Sequence, residues 1–136
     1  MPDVLEGLSE FGFTAAIDMG IPFSTEAAYD AFVALDKKGE FPIRLSVCYY
    51  VNTPALAGDA VTKLQAYSKK YKTEHIWFDT LKISGDSVIE NQKAALLEPY
   101  LTTGDRGSLY FDHEALNMMV LPAAENGFNI TIHTIG

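Results

Sequence analysis

The sequence contains one cysteine, Cys48. No disulfide can therefore close within the chain and no thiolate cage for zinc is available, which is compatible with a reducing, cytoplasmic setting. Basic clusters are also missing: 10 Lys plus Arg face 18 Asp plus Glu, for a formal net charge of -8. An acidic surface repels phosphate backbones and anionic headgroups, so neither nucleic acid nor a membrane surface is an expected partner. No apolar run approaches the roughly 18 residues of a membrane span. Met1 to Glu10 has no basic stretch before an apolar core, so it does not read as a signal peptide, and the chain is expected to be soluble. There is no G-x-S-x-G elbow, Walker A loop or G-x-G-x-x-G fingerprint. Gly104-Asp105-Arg106-Gly107 follows no strand and reads as a turn.

What is present suits one compact domain: 136 residues, 48% of them hydrophobic. Val4, Leu5, Leu8 and Phe11 share a helical face in Pro2 to Phe11, which Gly12 closes. Phe13 to Asp18 is a short strand. Ser24 and Thr25 stand where an N-cap belongs, ahead of Ala27, Ala28, Phe32 and Leu35, and Lys37, Lys38 and Gly39 end that helix. Ile43 to Tyr50 is a β-branched and aromatic strand. Thr53-Pro54 opens a helix running to about Tyr71, and Ile76 to Ile83 is the third strand. From Ser84 to Phe111 the pattern is irregular, with a turn or two of helix expected around Asn91 to Leu97; connections this long tend to be functional. Asp112 caps a helix with Leu116, Met119 and Val120 inward, and Asn129 to His133 is the fourth strand.

Strands separated by helices require parallel crossovers, so the fold class is α/β. Ligands in such folds gather at the carboxyl ends of the strands. Those ends carry Asp18, Tyr49 and Tyr50, Lys82, and His133. Between Leu81 and Ile83 the Lys82 amine is expected to be partly desolvated, which favours its neutral, nucleophilic form. It can then form a Schiff base, act as a base or take up carbon dioxide; alternatively it pairs with Asp79 or Asp86. His133 ends an apolar strand and reads either as a ligand or as a core histidine bonded to a backbone carbonyl. His75 belongs to the opposite mouth and His113 to solvent. Asp18 caps the turn Asp18-Met19-Gly20 more readily than it binds a ligand, and Cys48 reads as a small core residue.

The order of segments adds to this. Gly12-Phe13-Thr14 with Asp18 comes first. Leu81-Lys82-Ile83 then leads to Val88-Ile89-Glu90-Asn91-Gln92-Lys93-Ala94-Ala95-Leu96-Leu97-Glu98-Pro99-Tyr100, and the run ends in Ile132-His133-Thr134-Ile135-Gly136. This series resembles the amidohydrolase superfamily over essentially the whole chain. Within it, the amidohydrolase-3 branch, which includes N-substituted formamide deformylase-like enzymes and exoenzyme regulatory proteins, is the most similar.

The resemblance implies parallel β/α units of a partial TIM barrel: a single segment over 1–136 covering about strands two to five of eight. An eight-strand barrel takes roughly 250 residues, so this would be about half of one. It also implies that Lys82, as a carbamate, and His133 are metal ligands. The metal would be divalent, zinc by resemblance, and the chemistry a metal-activated water attacking a C–N bond of a small-molecule substrate. The family's His-x-His pair, its later histidine and its aspartate base are absent here. On this reading the chain is a fragment, inactive alone, without a tightly held metal and prone to self-associate through open sheet edges. The competing expectation is a free-standing α/β small-molecule-binding or regulatory domain, with Tyr49, Tyr50 and His133 lining a crevice and Lys82 in an ion pair.

Overall fold

The computed structural model describes residues 2–20 and 25–136. Its elements are helix α1 (Pro2–Glu10), strand β1 (Ala15–Asp18), α2 (Glu26–Lys37), β2 (Arg44–Val51), a short 3-10 helix (Pro54–Asp59), α3 (Ala60–Lys70), β3 (Ile76–Ser84), α4 (His113–Glu125) and β4 (Asn129–His133). The strands form one parallel sheet in the order β1-β2-β3-β4. In the first pair Ala15 lies opposite Arg44 and Asp18 opposite Val47. Sequence neighbours are thus sheet neighbours, as right-handed β/α crossovers without strand skipping produce. The chain divides into two compact units, residues 1–49 with 62–80 and residues 50–61 with 81–136.

In the first unit, Thr25 caps α2 by accepting the Ala28 N–H; the neighbouring cap candidate, Ser24, lies outside the described residues. The inward stripe of α2 is phased on Tyr29 and Asp36, both buried, while Ala27 is exposed. Tyr29 sets that phase by joining an aromatic cluster with Tyr67, Tyr71 and Phe78; its ring centroid lies 4.8 Å from that of Phe78, edge to face. Edge-to-face pairs of this kind contribute about 0.5–1.5 kcal/mol beyond their area. On α1 only Leu5 of the expected face is buried, and Val4 and Phe11 are exposed.

Asp36 has a specific task. Its carboxylate, buried at the end of α2, accepts the backbone N–H of His75 at 3.1 Å and faces the His75 Nδ1 at 2.7 Å, tying the helix to the entry of β3. Burial alone would push the Asp36 carboxyl up. The Thr73 hydroxyl, the His75 amide and the His75 imidazole outweigh it, and the net direction is below the usual carboxylate range. A depressed folded value stabilises the fold above the unfolded pKa, and that contribution is lost as pH falls through the folded value. Asp36→Asn is therefore expected to cost about 1–3 kcal/mol at neutral pH. In urea titrations the gap to wild type should close as pH drops through the carboxylate range and below it.

The second unit holds α4, capped by Asp112, which accepts the Ala115 N–H at 2.8 Å. Met119 and Ala123 of α4 are fully buried. The 3-10 helix packs on this helix, as does β4. A continuous α-helix was expected from Thr53-Pro54. The first six residues instead make the tighter 3-10 turn, Thr53 makes no side-chain cap bond, and α3 begins at Ala60. Gly58 in that stretch weakens an α-helical start.

The connection after β3 also departs from expectation, because Asn91 to Leu97 forms no helix. The amides of Gln92, Lys93 and Ala94 turn back to the Ile89 and Val88 carbonyls, and the next two go to more distant partners: Ala95 N–H to Asp86, and Leu96 N–H to the Arg106 carbonyl. The Tyr100 hydroxyl donates to the Ala94 carbonyl, and Gly107, at φ +67°, lies so close to Ala94 that a Cβ there would fall 2.1 Å from the Ala94 oxygen. Tertiary bonds have displaced the local i to i-4 ladder.

Candidate metal site at the ends of two neighbouring strands

The amide of Gly85 donates to the carbonyl of His133 at 2.8 Å. In a parallel ladder that bond sets His133 level with Ser84 on the neighbouring strand. Side chains alternate along a strand, so Lys82 and Ser84 share a face, and His133 projects from the same face beside them. With about 3.3 Å of rise per residue and 4.8 Å between strands, the Cα atoms of Lys82 and His133 lie roughly 8 Å apart, a span that a lysine and an imidazole can close between them. Tyr50 belongs to this unit too, with its hydroxyl 2.8 Å from the Ser84 hydroxyl.

Lys82 is half-buried between Leu81 and Ile83, both at 0% exposure. The two acids offered by the sequence as its partners each accept several hydrogen bonds. Asp79 accepts from the Ser46 and Thr80 hydroxyls and from the Trp77 indole N–H. Asp86 accepts only backbone amides: Oδ1 takes Ile135 N–H at 3.0 Å, and Oδ2 takes Gly136 N–H at 2.8 Å and Ala95 N–H at 3.0 Å.

His133 is half-buried, and its Nε2 stands 3.2 Å from the Ser87 carbonyl. Since a carbonyl only accepts, Nε2 carries the proton in this bond. The lone pair of a neutral ring is then left on Nδ1. A metal-binding histidine has this arrangement, one nitrogen fixed by a backbone acceptor and the other turned to the ion. The backbone-carbonyl bond expected of a core histidine is thus present and compatible with ligation. Among the described residues no three His, Cys, Asp or Glu side chains stand close enough to share a metal. Lys82 and His133 are therefore two candidate donors that share a face, with no further group of three around them among the described residues.

The remaining candidates fall elsewhere. Asp18 accepts the Gly20 N–H at 2.9 Å, closing a turn in which Gly20 has φ +71°. Tyr49 packs edge-on to Tyr67, and Cys48 is buried. His75 is held by Asp36, and His113 is exposed at the start of α4. In the same aromatic cluster, burial and the Glu26 carboxylate push the Tyr67 phenol up to about 12.

Sequence reasoning treated Asp86 only as a possible ion partner. It is 2% exposed, and although burial pushes its carboxyl up, the amides of Gly136, Ala95 and Ile135 and the His133 imidazole bring it below the usual range. The available signal was compositional: Gly85-Asp86-Ser87 directly after a buried strand is a strong turn tripeptide.

Comparison with known proteins adds lineage to this geometry. A family model described as the amidohydrolase family matches residues 3–136. The exoenzymes regulatory protein AepA of Pectobacterium carotovorum subsp. carotovorum is 26% identical over 133 residues, which are 98% of this chain and 28% of that protein. Two crystal structures share the fold over 99% of this chain. A metal-dependent hydrolase from Pyrococcus horikoshii OT3 matches with a TM-score of 0.71 at 21% identity, over 26% of its own chain. A metal-dependent hydrolase from Pyrococcus furiosus matches with a TM-score of 0.69 at 19% identity, over 27% of its chain. The chain spans little more than a quarter of each of these proteins. The expected fold class, parallel β/α units of a partial barrel, is borne out by these matches.

Proposed function

Since the chain belongs to the amidohydrolase family, we propose that Lys82 and His133 are two of the ligands that hold a divalent metal in a hydrolase cleaving amide-type C–N bonds of a small molecule. The observation that carries the reading is the shared face at the ends of β3 and β4, where Lys82 is half-buried and the His133 ring is held through Nε2 by the Ser87 carbonyl. A bound divalent metal, zinc by the family resemblance, would lower the pKa of a water and polarise the substrate carbonyl. The chain's own residues do the holding. Ser87 fixes the His133 ring through its carbonyl, so a neutral ring carries its proton on Nε2 and offers its lone pair on Nδ1. Lys82 becomes an oxygen donor as a carbamate: neutral Nζ adds to carbon dioxide, an N–C bond forms and one proton leaves to solvent. The segment from Ser84 to Phe111 contributes to the substrate side.

Two protein ligands fall short of the roughly three that a catalytic zinc takes. The other ligands and the general base are therefore assigned to sequence outside these 136 residues, and this chain alone is expected to be inactive. Its outermost strands carry exposed apolar side chains, Ile17 on β1 and Ile132 on β4, so it is also expected to self-associate. Light scattering of the 136-residue chain checks that; a monodisperse monomer at high concentration contradicts it.

The test of the site is metal content in the full-length polypeptide. Wild type should purify with stoichiometric metal and show a carbamate carbon after equilibration with 13C-bicarbonate. Lys82→Ala should lose both, and His133→Ala the metal. Stoichiometric metal in both variants would refute the assignment.

A further inference from the structure

Three consecutive residues hold His133 and the strand end just beyond it. Gly85 N–H holds its carbonyl at 2.8 Å, the Ser87 carbonyl holds its ring at 3.2 Å, and the carboxylate of Asp86 between them takes the amides of Ile135 and Gly136 just downstream. The same carboxylate takes Ala95 N–H, so the long connection is pinned to the same point. Close contact is built in at Gly85, where a Cβ would stand 3.0 Å from the His133 oxygen and 3.2 Å from a Thr134 methyl.

A charged carboxylate that spends its acceptors on three backbone amides while 2% exposed is an expensive way to brace a surface loop. What distinguishes this one is where two of the amides lie: two and three residues beyond a proposed ligand. Moving Asp86 by a fraction of an ångström moves both Ser87, which orients the imidazole, and the strand end that carries it. We infer that Asp86 is a positioning residue for His133, setting the place and direction from which Nδ1 meets the metal; the inference rests on the ligand assignment proposed above. Buried backbone acceptors of this sort hold histidine ligands in register as outer-shell groups do, and losing such a group commonly weakens metal binding about 10–100-fold.

The experiment uses the full-length polypeptide and Co2+ alone as probe, with affinity from calorimetry and coordination from the visible absorption of the bound ion. Asp86→Asn, which keeps the shape but removes one acceptor oxygen, should weaken Co2+ binding about 10–100-fold and alter the absorption. Met119→Ala, which damages the core of the same unit through a side chain at 0% exposure, should lower the melting temperature and leave affinity and spectrum unchanged. If Asp86→Asn does not fold, Asp86→Glu, which keeps the charge but displaces the oxygens, takes its place with the same expected loss. His133→Ala separates the two ideas. Should it lose Co2+ while the folded Asp86 variant binds like wild type with an unchanged spectrum, the positioning role is overturned and the ligand assignment stands. Should His133→Ala itself bind like wild type, the ligand assignment falls and the inference falls with it.

Discussion

His133→Ala, made in the full-length polypeptide, is expected to lower hydrolytic turnover by three orders of magnitude or more, and Lys82→Ala should do the same. The size follows from what is removed. A metal that polarises a carbonyl and supplies an activated water contributes several kcal/mol to transition-state stabilisation, and each 1.4 kcal/mol is a factor of about 10 in rate. Alanine at either position leaves no donor atom within reach, so the loss should appear in kcat and not only in KM. The fold offers little reason for these variants to unfold. Lys82 is half-buried, and the His133 ring bonds to the Ser87 carbonyl. The melting temperature should therefore move much less than activity. A parallel collapse of both would mean that these side chains serve packing.

At Asp86 a loss of stability is expected as well. Asp86→Ala strands three backbone N–H groups, those of Ala95, Ile135 and Gly136, at a position with 2% exposure. Bonds to a charged acceptor contribute about 1.5–3 kcal/mol each, and Ile135 and Gly136 are exposed enough for water to reach their amides once the carboxylate is gone. Partial relaxation and water entry keep the total below the sum, so a loss of about 3–5 kcal/mol is expected in equilibrium denaturation, a large part of the 5–15 kcal/mol that most domains possess. Hydrogen exchange locates the damage: protection at Ala95, Ile135 and Gly136 should fall first. If stability changes by less than about 1 kcal/mol, water has replaced the carboxylate and Asp86 is not a structural centre of this unit.

Much of this architecture is legible in the residues. β4 runs over Asn129–His133 as read from its apolar pattern, and Asp112 caps α4 as its position before Leu116, Met119 and Val120 predicts. The turn at Asp18 follows from an acid two residues ahead of a glycine. These features depend on neighbours in sequence, which a pattern can capture. Others depend on what the fold brings close. Asn91 to Leu97 has the composition of a helix, yet its Ala95 and Leu96 amides bond to Asp86 and to the Arg106 carbonyl. Tyr29 turns the face of α2 toward Phe78, 49 positions away in sequence. Asp86 was read beside Lys82, four residues distant, whereas its bonds reach to residues 95, 135 and 136. Lys82 and His133 were singled out because a polar residue closing an apolar strand is visible locally, and the resemblance in Lys82 to Tyr100 and His133 to Gly136 gave them a role. That they share a face could be seen only once the Gly85 to His133 bond set the register.

The central claim is that Lys82 and His133 bind one metal ion. The most direct measurement is anomalous diffraction from crystals of the full-length protein carrying its native metal, collected on both sides of the absorption edge. A single strong peak is expected about 2.0–2.2 Å from His133 Nδ1 and from an oxygen carried on Lys82 Nζ. A peak bound to neither residue, with His133 still donating Nε2 to Ser87 and Nδ1 facing only protein, would contradict it.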